Sequence, residues 1–243
     1  MLAESRELVE MVAAANRILT EAGLADGIRV NVGHVSARIP GTDYVIVKGR
    51  GYNRDVLSEM RPEHMLVTDL DNQVVEGPEG ITPPREIYLH TAVYKRRPDV
   101  ACVVHAHPEY ATLMSVVDVP LTVTHHEGIM AVVEGVDNYP DMAVIRTHEL
   151  GEDMAAVMGS KNTLLLRGHG AVSAGVSVED AMAMMIGLED QAKRNYMAIA
   201  SVGPDFPRVP RDQVLAYAAT RARGTTPEAA TAIWQYYEKR VRL

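Results

Sequence analysis

Three histidines and a glutamate carry the chemistry that this sequence can be read for. His105 and His107 sit two apart in Val103-Val104-His105-Ala106-His107, at the end of an apolar, β-type run over residues 100–104. Side chains two apart on a strand point to the same face, so both imidazoles can reach one point. Such a pair begins a divalent-metal site, which usually takes three protein ligands and keeps a position open for catalysis. His169 is the natural third ligand. It closes a second apolar run, Leu164-Leu165-Leu166-Arg167-Gly168-His169, between two glycines that let backbones come close. The competing reading is packing or titrating histidines. That reading suits a lone histidine better than an HxH and a Gly-His-Gly, each at a strand end. Glu86 and His90, four apart at the head of a helical run over 86–97, share a helix face. By itself a first-turn glutamate signals only a partner for the helix dipole.

The elements that must position these groups alternate along the chain. Residues 3–22 have Leu8, Val12, Ala15 and Leu19 at helical spacing, with Gly23 as a stop. Val35, Ala37 and Ile39 alternate as a strand after Gly27, and residues 43–47 pair with it across Pro40-Gly41-Thr42. Lys48-Gly49-Arg50-Gly51 follows at once, either a solvated turn or an anion clamp. Residues 65–68 and 73–75 form a hairpin. Beyond the histidine pair the spacing predicts a helix over 108–116, strands over 121–124, 143–145 and 164–166, and helices over 149–158 and 178–202. His125-His126 ends the first of these strands. Two more helices, near 210–219 and 226–240, follow the break at Pro204-Asp205-Phe206-Pro207; Trp234, Tyr236 and Tyr237 in the last suit a lid or a subunit contact. Strands interleaved with helices point to an α/β three-layer domain spanning residues 1–243, with 208–243 as its C-terminal helices.

Bulk properties narrow the function. With 243 residues, 47% hydrophobic and 23% charged, the chain has the make-up of a globular domain. A net charge of −8 and no block of Lys or Arg argue against nucleic acid as a partner. The single cysteine, Cys102, lies in the apolar run and has no internal disulfide partner, which suits a reducing compartment. No apolar stretch approaches bilayer length, and the glutamate-rich first 23 residues do not read as a signal peptide, so no membrane partner and a cytoplasmic location are expected. With one Phe and one Trp the core must be aliphatic. The 13 methionines fill gaps in it, and Met182, Met184 and Met185 are read that way rather than as ligands. GxGxxG and GxxxxGK[ST] are both missing, so no nucleotide cradle is indicated.

Gly33-His34-Val35-Ser36, Pro83 to Glu86, Arg97-Pro98-Asp99-Val100, Val103 to His107 and Leu166-Arg167-Gly168-His169-Gly170 follow one another in an order and spacing that resembles the class II aldolase/adducin family over roughly residues 5–200. The resemblance implies a three-layer α/β/α fold around a mixed, mostly antiparallel sheet, assembled as a cyclic homotetramer with active sites between subunits. It implies that His105, His107 and His169 hold one divalent ion per subunit, zinc or manganese, with Glu86 as an extra ligand or general acid/base.

The departures from the family pattern bear on substrate. Phosphate-using members typically carry Asn where this chain has His34 before Ser36, a Thr-Pro-Ser/Thr-Gly loop where it has Lys48-Gly49-Arg50-Gly51, and Ser-Ser where Pro84-Arg85 precede Glu86. Small phosphate-wrapping donors are thus replaced by what reads as cationic groups, and a guanidinium suits a carboxylate. The pattern looks more like the branch that decarboxylates hydroxylated aromatic or heteroaromatic acids, such as 3,4-dihydroxyphthalate or a hydroxypyridine dicarboxylate. Arg50, Lys48 or Arg85 would then anchor a carboxylate, while Glu86, or His125 or His126 of a neighbouring subunit, would move the proton. The alternatives are an aldolase or epimerase acting on a sugar phosphate or 2-oxo acid, and an adducin-like interaction module without chemistry.

Overall fold

The computed structural model describes residues 1–25, 32–51, 56–117, 119–220 and 226–243. The lead-in to the first expected strand, residues 26–31, lies outside them. Eight strands form one sheet: β1 (His34–Arg38), β2 (Val45–Lys48), β3 (Met65–Thr68), β4 (Val74–Glu76), β5 (Cys102–Ala106), β6 (Asp137–Tyr139), β7 (Thr163–Leu166) and β8 (Gly170–Gly175). Their order is β4-β3-β2-β1-β5-β8-β7-β6. Every neighbouring pair is antiparallel except β6 and β7.

The described residues form seven α-helices: α1 (Arg6–Glu21), α2 (Ile87–Arg96), α3 (Glu109–Met114), α4 (His148–Met158), α5 (Val178–Val202), α6 (Arg211–Ala219) and α7 (Pro227–Glu238). Strand alternation splits the core between two faces. Cys102, Val104 and Ala106 of β5 pack with α1 and α5 on one face, together with Val35, Leu165, Met182 and Met185. Val103 of β5 points the other way, among Leu89 and Val93 of α2, Met154 of α4, and Leu164 and Leu166 of β7. His105 shares the parity of Val103. The candidate metal ligands His105 and His107 therefore emerge on the α2/α4 face, at the end of β5.

The fold is the expected mixed, mostly antiparallel α/β/α sandwich, with three local corrections. Residues 121–124 are not a strand. The buried amides of Asn195 and Gln191 on α5 bond the backbone N–H groups of Thr122 and Thr124 at 3.1 and 3.0 Å, so side chains do the work of a sheet neighbour. Residues 143–145 are not a strand either: Asp141 takes the Ala143 N–H, Glu86 takes the Ile145 N–H, and the strand beside β7 is β6. Conversely, the run Gly170-Ala-Val-Ser-Ala-Gly is a fully buried strand between β5 and β7, which its small residues conceal. Trp234 is 9% exposed and packs into the α1 core, while Tyr236 stays exposed.

Candidate metal centre

Three turns bring four candidate ligands together. His105 is in β5, and His107 lies just past its end, its N–H bonded to the Leu24 carbonyl at 3.1 Å. His169 occupies the turn from β7 to β8, which closes with its N–H on the Leu166 carbonyl. Glu86 precedes α2 as its N-cap residue but makes no side-chain cap. Its Oε1 instead accepts the Ile145 N–H at 3.1 Å, which turns the carboxylate toward the histidines. Glu86 Oε2 is 3.5 Å from His105 Nε2, and Glu86 Oε1 is 3.4 Å from His169 Nε2. The Nε2 atoms of His107 and His105 are 3.2 Å apart. One ligand atom from each of the four falls within 4.8 Å of the others.

The tautomers suit a cation. His105 Nδ1 donates to the Ala171 carbonyl at 3.0 Å, which leaves Nε2 bare and aimed at the cluster. Burial alone would raise the Glu86 carboxyl. The imidazoles of His105 and His169 outweigh it and hold the group well below the usual carboxylate range. Three imidazole nitrogens and a carboxylate converging in this way match the donor set of zinc or a similar divalent ion.

Several supporting groups carry no sequence signal of their own. Ser115, fully buried after α3, accepts the Gly168 N–H on Oγ at 2.8 Å, while its carbonyl accepts from Asn138 Nδ2 at 2.7 Å. These bonds pin the His169 turn. His34 and Ser36 rise from β1 on the same face, His34 directly opposite His105 in the register. Burial pushes the His34 imidazole well below its ordinary value, with His90 and His105 adding to the effect, so His34 is neutral and not the cation expected from its place in the motif.

The remaining expected site residues divide. Arg50 pairs its backbone with Thr82 in both directions, at 2.7 and 3.1 Å, and its Nη2 reaches Thr82 Oγ1 at 3.4 Å, which ties it to the segment leading to Glu86. Its Nε is buried and has no acceptor among the described residues. Lys48 is also buried and its charge is felt at His34. Strand alternation, however, sets its Cβ on the α1 face with Ile46 and its cross-strand partner Met65. Arg85 is exposed beside Glu86. The rings of His125 and His126 lie 4.5 Å apart at a tilt of 51°; Gln191 on α5 donates to the His125 carbonyl, Tyr217 on α6 meets His126 edge-on, and neither histidine belongs to the four-residue cluster.

The family model for the class II aldolase and adducin N-terminal domain matches residues 10–196. The chain belongs to the class II aldolase and adducin family. Among similar members, the 3,4-dihydroxyphthalate decarboxylase of Arthrobacter keyseri is 34% identical over 208 residues, covering 80% of this chain and 79% of its own. The enzyme of the same name from Terrabacter sp. (strain DBF63) is 30% identical over 207 residues, covering 80% and 82%. The structure of L-fuculose 1-phosphate aldolase from Glaciozyma antarctica PI12 superposes with a TM-score of 0.82 over 99% of this chain and 91% of that one. At 22% identity it speaks for the fold. Metal-dependent lyase chemistry is what the family and the four-ligand cluster have in common. Among the described residues no helix is long and apolar enough to cross a membrane.

Proposed function

We propose that this protein is a divalent-metal-dependent carboxy-lyase acting on a hydroxylated aromatic or heteroaromatic mono- or dicarboxylic acid. The observation that carries the choice of acid is Arg50. One guanidinium N–H of Arg50 is buried and has no acceptor among the described residues, on a segment tied to Thr82 and hence to Glu86; an anion would satisfy it, and a carboxylate fits the guanidinium fork. The decarboxylase relatives support the same choice.

His105, His107, His169 and Glu86 would hold zinc or manganese, which when bound supplies Lewis-acid stabilisation of the electron pair left as carbon dioxide departs. Arg50 grips a substrate carboxylate, with the buried charge of Lys48 reinforcing the field and Arg85 at the rim. Glu86, fixed by the Ile145 N–H, is the first candidate to carry the proton to the substrate carbon. His125 or His126 of a neighbouring copy is the second. That role belongs to a homotetramer with active sites between subunits. Exposed Val116 and Met142, which flank the Gly168 turn beside His169, support such an interface.

The test is carbon dioxide release by the zinc- or manganese-loaded protein from ortho-hydroxylated benzene and pyridine dicarboxylates. Dihydroxyacetone phosphate with aldehydes is run alongside. Carbon dioxide without aldol product is expected; aldol product alone would replace this reading with a sugar-phosphate aldolase.

A further inference from the structure

Behind the metal ligands, on the same face of the sheet, four buried side chains are joined in a string that the reaction as described leaves unused. His34 and Ser36 come from β1, two apart; His90 and Tyr94 come from α2, four apart, so each pair shares a face and the two faces meet. Ser36, His90 and Tyr94 are at most 1% exposed and His34 is 6% exposed. His34 Nδ1 lies 2.6 Å from His90 Nε2, and His90 Nδ1 lies 2.7 Å from Ser36 Oγ. Ser36 Oγ is 2.9 Å from the Tyr94 hydroxyl, which itself donates to the Ser36 carbonyl at 2.9 Å.

Counting protons decides how the string is wired. A neutral imidazole has one N–H and a hydroxyl has one O–H, so the four contacts within the string, each with its own proton, take one from each of the four side chains, while the Val103 backbone also bonds His90 and Tyr94. The Tyr94 proton goes to the Ser36 carbonyl. The Ser36 proton must then serve the contact with Tyr94, and His90 must donate to Ser36 from Nδ1. In that wiring His90 Nε2 is a bare acceptor, and the proton between the two histidines comes from His34 Nδ1. With its proton on Nε2 instead, His34 would leave three protons for four buried contacts and two lone pairs face to face. A second proton on His90 would also fill the contacts, but it would put a charge on a fully buried group beside two other imidazoles.

We propose that His90 is a positioning residue: it holds His34 as the Nδ1–H tautomer, so that His34 Nε2, beside the metal ligand His105, is offered as the acceptor for a hydroxyl of the substrate. This deepens the proposed function and rests on it for the identity of the hydroxyl, since an ortho-hydroxylated acid carries one next to its carboxylate. The family's phosphate users, with an amide donor at this place, meet a different demand.

The test begins without substrate. Long-range proton–nitrogen NMR of the histidine-labelled, zinc-loaded protein reads each tautomer, and His34 is assigned by the signal lost in His34→Asn. A proton on Nδ1 is expected; a proton on Nε2 overturns the proposal. His90→Phe removes the acceptor while leaving the four ligands intact. It should keep its zinc, lose the single Nδ1–H signature of His34 and lose about 10- to 100-fold in kcat. His90→Gln sets an amide oxygen near the place of Nε2 and should recover most of both. Zinc-loaded His90→Phe turning over like wild type also overturns the proposal. If that variant does not fold, the wild-type spectrum and His90→Gln still decide. A wild-type protein that shows the Nδ1–H tautomer yet releases no carbon dioxide from any acid refutes the substrate reading alone.

Discussion

Replacing Gly170 by alanine should damage the metal centre through packing alone. Gly170 opens β8 with a φ outside the left-handed region, so alanine meets no backbone penalty there. The new Cβ would instead run into the Ala106 carbonyl oxygen, lie 2.9 Å from Cδ2 of His107 and 3.3 Å from the Ala106 carbonyl carbon. Carbon atoms rest at about 3.5–4.0 Å, so the ligand ring must retreat by about 0.6–1.1 Å. The backbone of Ala106 cannot easily yield, because it is held in the β5/β8 ladder opposite Ala171. Overpacking of this kind costs about 1–3 kcal/mol. For a chain of this size each kcal/mol is about 2–4 °C, so the melting temperature should fall by about 2–12 °C. A catalytic group displaced by about 1 Å can cost about 100-fold in turnover. Thermal melts with and without zinc, elemental analysis of bound metal and turnover measure the three effects on one preparation. Gly41→Ala is the control: its φ of 74° makes alanine strained, but nothing lies within 4 Å of the new Cβ, so it should lose stability and keep its metal. Gly170→Ala with full zinc and an unchanged melting temperature would show that the ligands are not set by the β5/β8 contact.

Three other perturbations separate the parts of the site. His169→Ala should lose bound metal and turnover together by elemental analysis and assay; an active, metal-loaded variant would remove His169 from the ligand set. Arg50→Met should leave metal content alone and lower kcat/KM for the acid about 10- to 100-fold, the worth of a charge-assisted hydrogen bond of about 1.5–3 kcal/mol; unchanged kinetics would dismiss Arg50 as the carboxylate anchor. Acid should destabilise the metal-free protein through His90, which burial, chiefly, lowers from 6.5 to about 3. Between those values the unfolded chain binds more protons than the folded one, so stability falls as pH drops below about 6.5. The urea midpoint should decline from about pH 7 to about pH 5, and more gently in His90→Phe; a midpoint flat across that window in the wild type contradicts the buried neutral histidine.

Where the chain follows one periodicity, its fold was readable in advance. The long helix α5 has the expected bounds, residues 178–202, because its apolar positions, the Ser177 cap and Gly203 agree with one another. The failures come where backbone partners are supplied from far away. Residues 121–124 look like a strand by composition, but their N–H groups are claimed by Asn195 and Gln191, more than 60 residues downstream. The 143–145 segment is lost as a strand to the distant Glu86, 59 residues from Ile145, and to the local Asp141. In β8 the signal is absent because the strand is squeezed between β5 and helix α5, where only small side chains fit. A Cβ on Gly175 would strike the backbone of Ala181.

The site divides along the same line. Ligand types and their strand-end positions are local features, which is why His105, His107 and His169 could be named from spacing before any contact was seen. What sets their state is cross-strand register, which no local window contains. His34 reads as a cation when it is compared with an amide in a motif. Opposite His105 and beneath α2 it becomes a buried neutral imidazole whose proton is assigned by Ser36, His90 and Tyr94. Lys48 suffers the reverse correction. It lies two residues before Arg50 and ends β2 with its Cβ on the α1 face beside Ile46 and Met65; of the expected clamp it is Arg50 whose buried Nε has no acceptor among the described residues. Of the cationic groups expected at the substrate pocket, His34 is therefore a buried neutral imidazole, and Arg50 is a guanidinium with one buried N–H that has no acceptor among the described residues. Under the proposed function, a hydroxy acid would offer a carboxylate to the guanidinium and a hydroxyl to the imidazole.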